Sequence, residues 1–187
     1  MTTYKISALT AVATPAETDQ HEVNQGGTSK RITSAQILGL RGLLVMAHTS
    51  ANVTFTTLTN AIVNFDSVDY DPGSLVTTGA AWHFTAPATG YYQVSVDEGY
   101  IDSLTNNWAA HDVIEMYLYK NGSYYQTIDS FWAQTAVTGA NLPYWVLHGT
   151  CTIQLNAAQT CAINFTNDTA ASRRLDSLTR INIARVA

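Results

Sequence analysis

The sequence predicts a mainly β protein of antiparallel strands, a sandwich or barrel, led by a small hairpin and a short helix. Three observations predict it. Segments of apolar–polar alternation recur at intervals of about 8–12 residues, each closed by Gly, Pro, Asn or Asp. No long helical periodicity follows residue 42. Hydrophobic residues make up 46% of the 187, which is ample for one core of ordinary domain size.

The leader comes first. In "HEVNQGGTSKRITSAQIL", Gly26-Gly27 supplies the positive φ of a tight turn between strands Glu22–Gln25 and Thr28–Thr33. Thr33 then serves as a helix N-cap with Gln36 as its capping-box partner, just ahead of Ile37 and Leu38. Gly39 and Gly42 stop that helix early. A hairpin with about two turns of helix buries too little apolar surface to stand alone. The leader is therefore expected to lean on the following domain or on another protein.

The strands follow in order. "NVTFTTLT" alternates, and "IVNFDSVDY" ends at "DPGS" (71–74), where Pro72 presets φ and Gly73 permits the reversal. "AAWHFTAPATGYYQVSV" gives a strand, a turn, and a strand with Tyr92, Val94 and Val96 on one face. In "VIEMYLYKNGSYYQTI", Asn121-Gly122 is the favoured type I′ pair, so Lys120 faces Ser123 and Leu118 faces Tyr125. Ile114, Met116 and Leu118 point inward. Glu115, Tyr117 and Tyr119 point outward, and two outward aromatics fit a subunit seam. "CTIQL" and "TCAINF" read as strands joined by a turn at Asn156–Gln159. Pairing Leu155 with Thr160 sets Cys151 opposite Asn164, so the cysteines read as two buried free thiols. "TRINIARVA" buries Ile181 and Ile183.

Charge narrows the partners. Charged residues are 12% of the chain, about half the usual share of roughly 25%. A surface so poor in charge fits a protein partly buried in an assembly. Net charge is −5 with nine Lys and Arg, which argues against nucleic acid as a partner. Lys30, Arg31 and Arg41 cluster in the leader, and Arg173, Arg174, Arg180 and Arg185 near the C-terminus. These are solvated charges or a basic anchor against an acidic protein surface. The N-terminus lacks the apolar core of a secretory signal, and "LLVMA" (43–47) is too short to span a bilayer, so no membrane partner is expected. Four Asn-x-Ser/Thr sequons, beginning at Asn52, Asn121, Asn164 and Asn167, follow from the Thr-rich composition.

Chemistry is thin. His21, His48, His83, His111 and His148 fall singly, without metal-ligand spacing. Asp66, Asp69 and Asp71 do not have calcium-loop spacing and read as turn acids. His111-Asp112 lacks a nucleophile elbow. Asp97, Glu98 and Asp102 lie near Trp108 as glycosidase acids do, but "DEGYIDSLTNNW" reads as a strand end and exposed loop. No catalytic residue, metal or cofactor is expected. Binding has better material: Asn106, Asn107 and Trp108 are the candidate contact with a ligand or host surface, since a loop tryptophan beside amides can stack on a sugar.

Motif order adds a resemblance. "IVNFDSVDYDPGS", "WHFTAPATGYYQVSV", "MYLYKNGSYYQTID", "GTCTIQLNAAQTCAINF" and "LTRINIARVA" resemble, in that order, the tumour-necrosis-factor and complement globular-head superfamily, over residues 45–187. That resemblance implies an antiparallel jelly-roll sandwich assembled as a homotrimer. No collagen-like stalk precedes it, and the calcium-binding carboxylates of some relatives are not clearly matched. The leader "KISALTAVATPAETDQHEVNQGGTSKRITSAQIL" resembles the N-terminal segments of tailed-bacteriophage fibre and virion surface proteins.

Together these imply a non-enzymatic phage virion protein. Residues 1–42 would anchor it to a major capsid or tail protein, through Glu22, Val23, Lys30, Arg31, Ile32, Ile37, Leu38 and Arg41. Residues 45–187 would form a trimeric head with Tyr117 and Tyr119 at its seam. A capsid fibre or decoration protein is the main expectation, with weak adhesion to host or surface glycans. A tail-fibre receptor-binding tip, a free carbohydrate-binding module and a glycan hydrolase using Asp97 or Glu98 are the alternatives.

Overall fold

The computed structural model describes residues 20–25, 28–33, 42–103, 107–138 and 145–186. The chain divides into two compact units, Met1–Arg41 and Gly42–Ala187. In the first, β1 (Gln20–Gln25) and β2 (Thr28–Thr33) pair antiparallel, from Gln25 opposite Thr28 to Gln20 opposite Thr33. That register leaves Gly26 and Gly27 as the connection, and β1 begins two residues ahead of the predicted Glu22. Glu22 faces Arg31, Val23 faces Lys30, and His21 faces Ile32. Thr33 closes β2; the predicted helix start with Ile37, Leu38 and Arg41 lies outside the described residues.

The second unit is β throughout its described residues. Its strands are β3 (Gly42–His48), β4 (Val53–Phe55), β5 (Thr59–Ile62), β6 (Ser67–Tyr70), β7 (Val76–Thr77), β8 (His83–Thr85), β9 (Gly90–Ser103) and β10 (Asn107–Trp108). β11 (Val113–Lys120), β12 (Ser123–Trp132), β13 (Val137–Thr138), β14 (Trp145–Leu155), β15 (Thr160–Asp168), β16 (Arg173–Leu175) and β17 (Arg180–Arg185) follow. One sheet runs β12-β11-β15-β8-β7, with β5 also on β15. The other runs β4-β16-β9-β17-β3-β6, with β14 on the other side of β9. A minor pair joins β10 to β13.

Alternation puts one face of each sheet in a shared core. Tyr92, Val94, Val96, Ile153, Ile181 and Ile183 come from the β9 sheet, and Ile114, Met116, Leu118, Ile163 and Phe165 from the β11 sheet. All are essentially solvent-free, so burial is worth about 1.5–3 kcal/mol for each large apolar side chain. Rings interlock across it: Phe65 meets Trp82 edge-on at 5.0 Å, and Phe84 meets Tyr92 at 5.5 Å. The mainly β, antiparallel architecture is the one the alternation predicts.

Four local expectations change. β14 and β15 do not pair with each other: β14 adds to β9 in one sheet, and β15 lies in the other sheet, between β11 on one side and β8 and β5 on the other. The Asn156–Gln159 turn is thus a crossover, and both thiols reach the core from opposing sheets, free and buried. Asn121 (φ 49°) and Gly122 (φ 78°) form the primed turn, but irregularities after Met116 and Leu118 set Leu118 opposite Gln126 rather than Tyr125. At 71–74 the left-handed residue is Ser74 (φ 50°), while Gly73 leaves room for the Leu75 side chain, whose Cγ would lie 3.0 Å from an added Cβ. Residues 97–103 are strand, not loop, because β14, β16 and β17 all pair with β9 there.

Candidate assembly and binding surfaces

Trp108 is the first expected contact residue the structure relocates. Its ring is 2% exposed and packs edge-on against Phe131 at 5.1 Å. The Arg173 guanidinium covers it, with its carbon 3.8 Å from the ring centroid. Arg173 is fully buried and donates from Nη2 to Asp112 Oδ2 at 2.7 Å; the same oxygen accepts the Ala109 amide at 2.9 Å. Burial pulls the guanidinium below its ordinary pKa, and Asp112 counteracts the shift. This Trp108 is a packing residue, unavailable for stacking on a ligand, and Arg173 is no surface anchor. Asn107 pairs with Thr138 in the minor ladder, and Asn106 lies outside the described residues. Sequence could not show this burial, because Arg173 is 61 residues from Asp112.

The acids have separate occupations. Asp66 accepts the Ser50 amide at 2.7 Å and the Ser50 hydroxyl at 2.5 Å, and those bonds hold its carboxyl below the usual range. Asp69 meets His48 Nδ1 at 2.9 Å, and Asp71 caps the amides of Leu75 and Val76 at 2.8 and 3.0 Å. Among the described residues, no three His, Cys, Asp or Glu side chains gather as a metal would require. Asp97 accepts a bond from Asn182 at 3.0 Å. It is five residues from Asp102 on one extended strand, about 16 Å of chain, whereas glycosidase carboxyls need roughly 5–9.5 Å. Asp112 turns to Arg173 while the His111 ring packs outside against Trp132 at 6.3 Å, so they do not make a triad.

Tyr117 and Tyr119 lie half-buried on the outward face of the β11 sheet. Register sets their neighbours: Tyr117 faces Asn164 and Thr127, Tyr119 faces Ala162 and Tyr124, and Glu115 faces Thr166 and Ser130. Tyr124 stands edge-on to both tyrosines, at 5.3 and 6.4 Å. The Tyr117 hydroxyl donates to Glu115 Oε2; burial and that bond push its pKa up, so it stays protonated. Asn60 Nδ2 donates to the Tyr119 hydroxyl at 3.0 Å, and Asn164 Nδ2 donates to Asn60 Oδ1 at 2.7 Å. The type I′ turn was signal enough to find Tyr124, since it fixes the pair Tyr119–Tyr124. Nothing local marked Asn60 or Asn164, which meet across 104 residues.

The outward face of the β9 sheet differs. Leu43, Tyr70, Tyr91 and Val186 are 42, 44, 47 and 43% exposed there or at its edges. Between them the Ser95 and Thr150 hydroxyls lie 2.8 Å apart beside Gln93, Thr152 and Asn182, while Asp97, bonded to Asn182 and paired opposite Arg180, brings charge to the same face.

No protein-family model matches the sequence, and no curated protein does. Solved structures do. A crystal structure of murine APRIL is 9% identical and has a TM-score of 0.52, over 77% of this chain and 98% of that one. The structure of Eiger TNF from S. frugiperda is 19% identical over 79% and 94%, with a TM-score of 0.45. A second murine APRIL structure is 10% identical over 76% and 98%, with a TM-score of 0.47. At these identities the likeness concerns the fold alone, and with the sheet orders above it makes this chain a tumour-necrosis-factor-like jelly roll.

Proposed function

We propose that the protein is a non-enzymatic structural component of a bacteriophage virion, a homotrimeric capsid fibre or decoration protein displayed on the particle surface. One observation carries the reading: a leader whose motif order resembles phage virion proteins, with a hairpin at Gln20–Thr33, precedes a charge-poor jelly roll. In this role the leader docks on a major capsid or tail protein. Three-fold repetition of the head then turns weak single contacts into multivalent ones.

The seam is assigned here to the outward face of the β9 sheet, around Leu43, Tyr70, Tyr91 and Val186, in place of Tyr117 and Tyr119. Exposed apolar side chains such as these lose little on desolvation. The hydroxyls of Tyr117 and Tyr119 are already taken up within the subunit.

Immunogold electron microscopy of intact virions, with antibody against residues 45–187, tests the role. Label over the head is expected of a capsid fibre or decoration protein. Label confined to the tail would make the chain a receptor-binding tip instead, and unlabelled particles would refute a virion role.

A further inference from the structure

The outward face of the β11 sheet carries an unusual combination. Asn164 and Thr166, two residues apart on β15, both turn to this side, since Ile163, Phe165 and Asn167 between and beside them face the core. Asn164 is 7% exposed, and among the described residues its Oδ1 has no hydrogen-bond partner; the buried Thr166 Oγ1 has none there either. More than nine in ten buried polar groups in folded proteins are paired, and leaving one unpaired costs about 1–3 kcal/mol. Two such atoms on one floor mark a place completed from outside.

The walls suit one kind of visitor. Tyr124 is 58% exposed and is held by perpendicular contacts with Tyr117 and Tyr119, which preset a flat apolar surface at little entropic cost. Beside it, register lines up Asn60, Thr166, Glu115 and Ser130 in one cross-strand row of hydrogen-bonding groups. Farther along the same edge strand, Trp132 is 63% exposed. Glu115 is the one acid in that row and no Lys or Arg joins it, so the row offers nothing to hold an anion.

We propose that this face is a binding site for a neutral saccharide. Tyr124 stacks on an apolar face of a sugar ring, while its hydroxyls reach Glu115, Ser130 and the amides of the row. Asn60, exposed on the short strand β5, is the movable neighbour. Swinging it aside frees Asn164 Nδ2 and opens the floor, where a sugar hydroxyl donates to Asn164 Oδ1 and another meets Thr166 Oγ1. The site belongs to the single subunit and does not depend on where the protein is mounted.

The test is a glycan microarray probed with the purified full-length protein, followed by calorimetric titration of the best neutral oligosaccharide. Binding in the millimolar range or tighter is expected, weakened at least about tenfold by Tyr124→Ala and by Thr166→Val, which removes the floor hydroxyl. Leu178→Ala, between β16 and β17 and 51% exposed, should leave it unchanged. Tyr124 and Leu178 are exposed and Thr166→Val removes an unpaired buried hydroxyl, so these variants should fold. Three results would overturn the proposal: no neutral glycan retained, affinity indifferent to Tyr124→Ala, or Tyr124→Ala breaking up the oligomer in the absence of sugar. The last would make the face a seam between copies.

Discussion

The Arg173 guanidinium carbon lies over the Trp108 ring, 3.8 Å from its centroid, while Asp112 takes its charge at 2.7 Å. This buried triad joins β16 to the segment entering β11, and so ties the two sheets at one end. Asp112→Ala would strand a buried cation and should cost about 3–5 kcal/mol in urea denaturation. The double variant Asp112→Leu with Arg173→Met should recover part of that loss, because no charge is left to desolvate. Equal midpoints for wild type and Asp112→Ala would show that the pair contributes nothing.

Gly149 marks a second tie between the sheets. A Cβ there would meet Ile128 Cγ2 at 2.7 Å and the Ile128 carbonyl oxygen at 3.0 Å. The carbonyl cannot swing away as a side chain can, so β12 and β14 would have to separate. Gly149→Ala should therefore lower stability by about 1–3 kcal/mol, read as a drop in Tm. Gly79→Ala meets no neighbour within 4 Å, and its cost should come from its positive φ of 106° alone.

Burial pushes the Cys151 thiol up to about 11 and the Cys161 thiol up to about 12. At pH 8 both should be protonated and shielded. A thiol reagent such as DTNB should label neither in the native protein and both after unfolding in urea. Rapid native labelling would place a thiol at the surface.

Asp66 is held below its ordinary pKa by Ser50, and the sign follows directly. Its contribution to stability is present above the unfolded carboxylate value near 3.8 and is lost as pH falls through the lower folded value. Ser50→Ala should raise the Asp66 pKa toward 3.8, observable by carboxyl-carbon NMR titration. An unmoved titration would assign the shift to something other than Ser50.

Sedimentation tests the seam. The full-length protein should run at three times the 20.3 kDa chain mass at micromolar concentration. Tyr91→Glu should shift it toward the single chain by placing a charge in the β9-sheet face, while Tyr117→Phe should not. The reverse pattern would return the seam to the tyrosines of β11.

Alternation and turn chemistry are local, and what they govern was legible from the residues. Asn121-Gly122 specified the β11–β12 turn, Gly26-Gly27 the β1–β2 hairpin, and the alternation of Tyr92, Val94 and Val96 a core face. The burial of both cysteines followed from the same period of two. A candidate contact such as Trp108 failed on the same evidence, because a loop-like stretch of polar residues gives no sign of what folds over it.

By itself, then, the sequence determined strand character, inward and outward faces, and the tight turns, since each depends on residues within a few positions of one another. Only the tertiary structure decided that β14 and β15 part into different sheets, that Arg173 closes over Trp108, and that Asn60 meets Asn164 beside three tyrosines. Those outcomes join residues dozens of positions apart. They are selected by the joint burial of two sheets, and no local window of the chain carries that information.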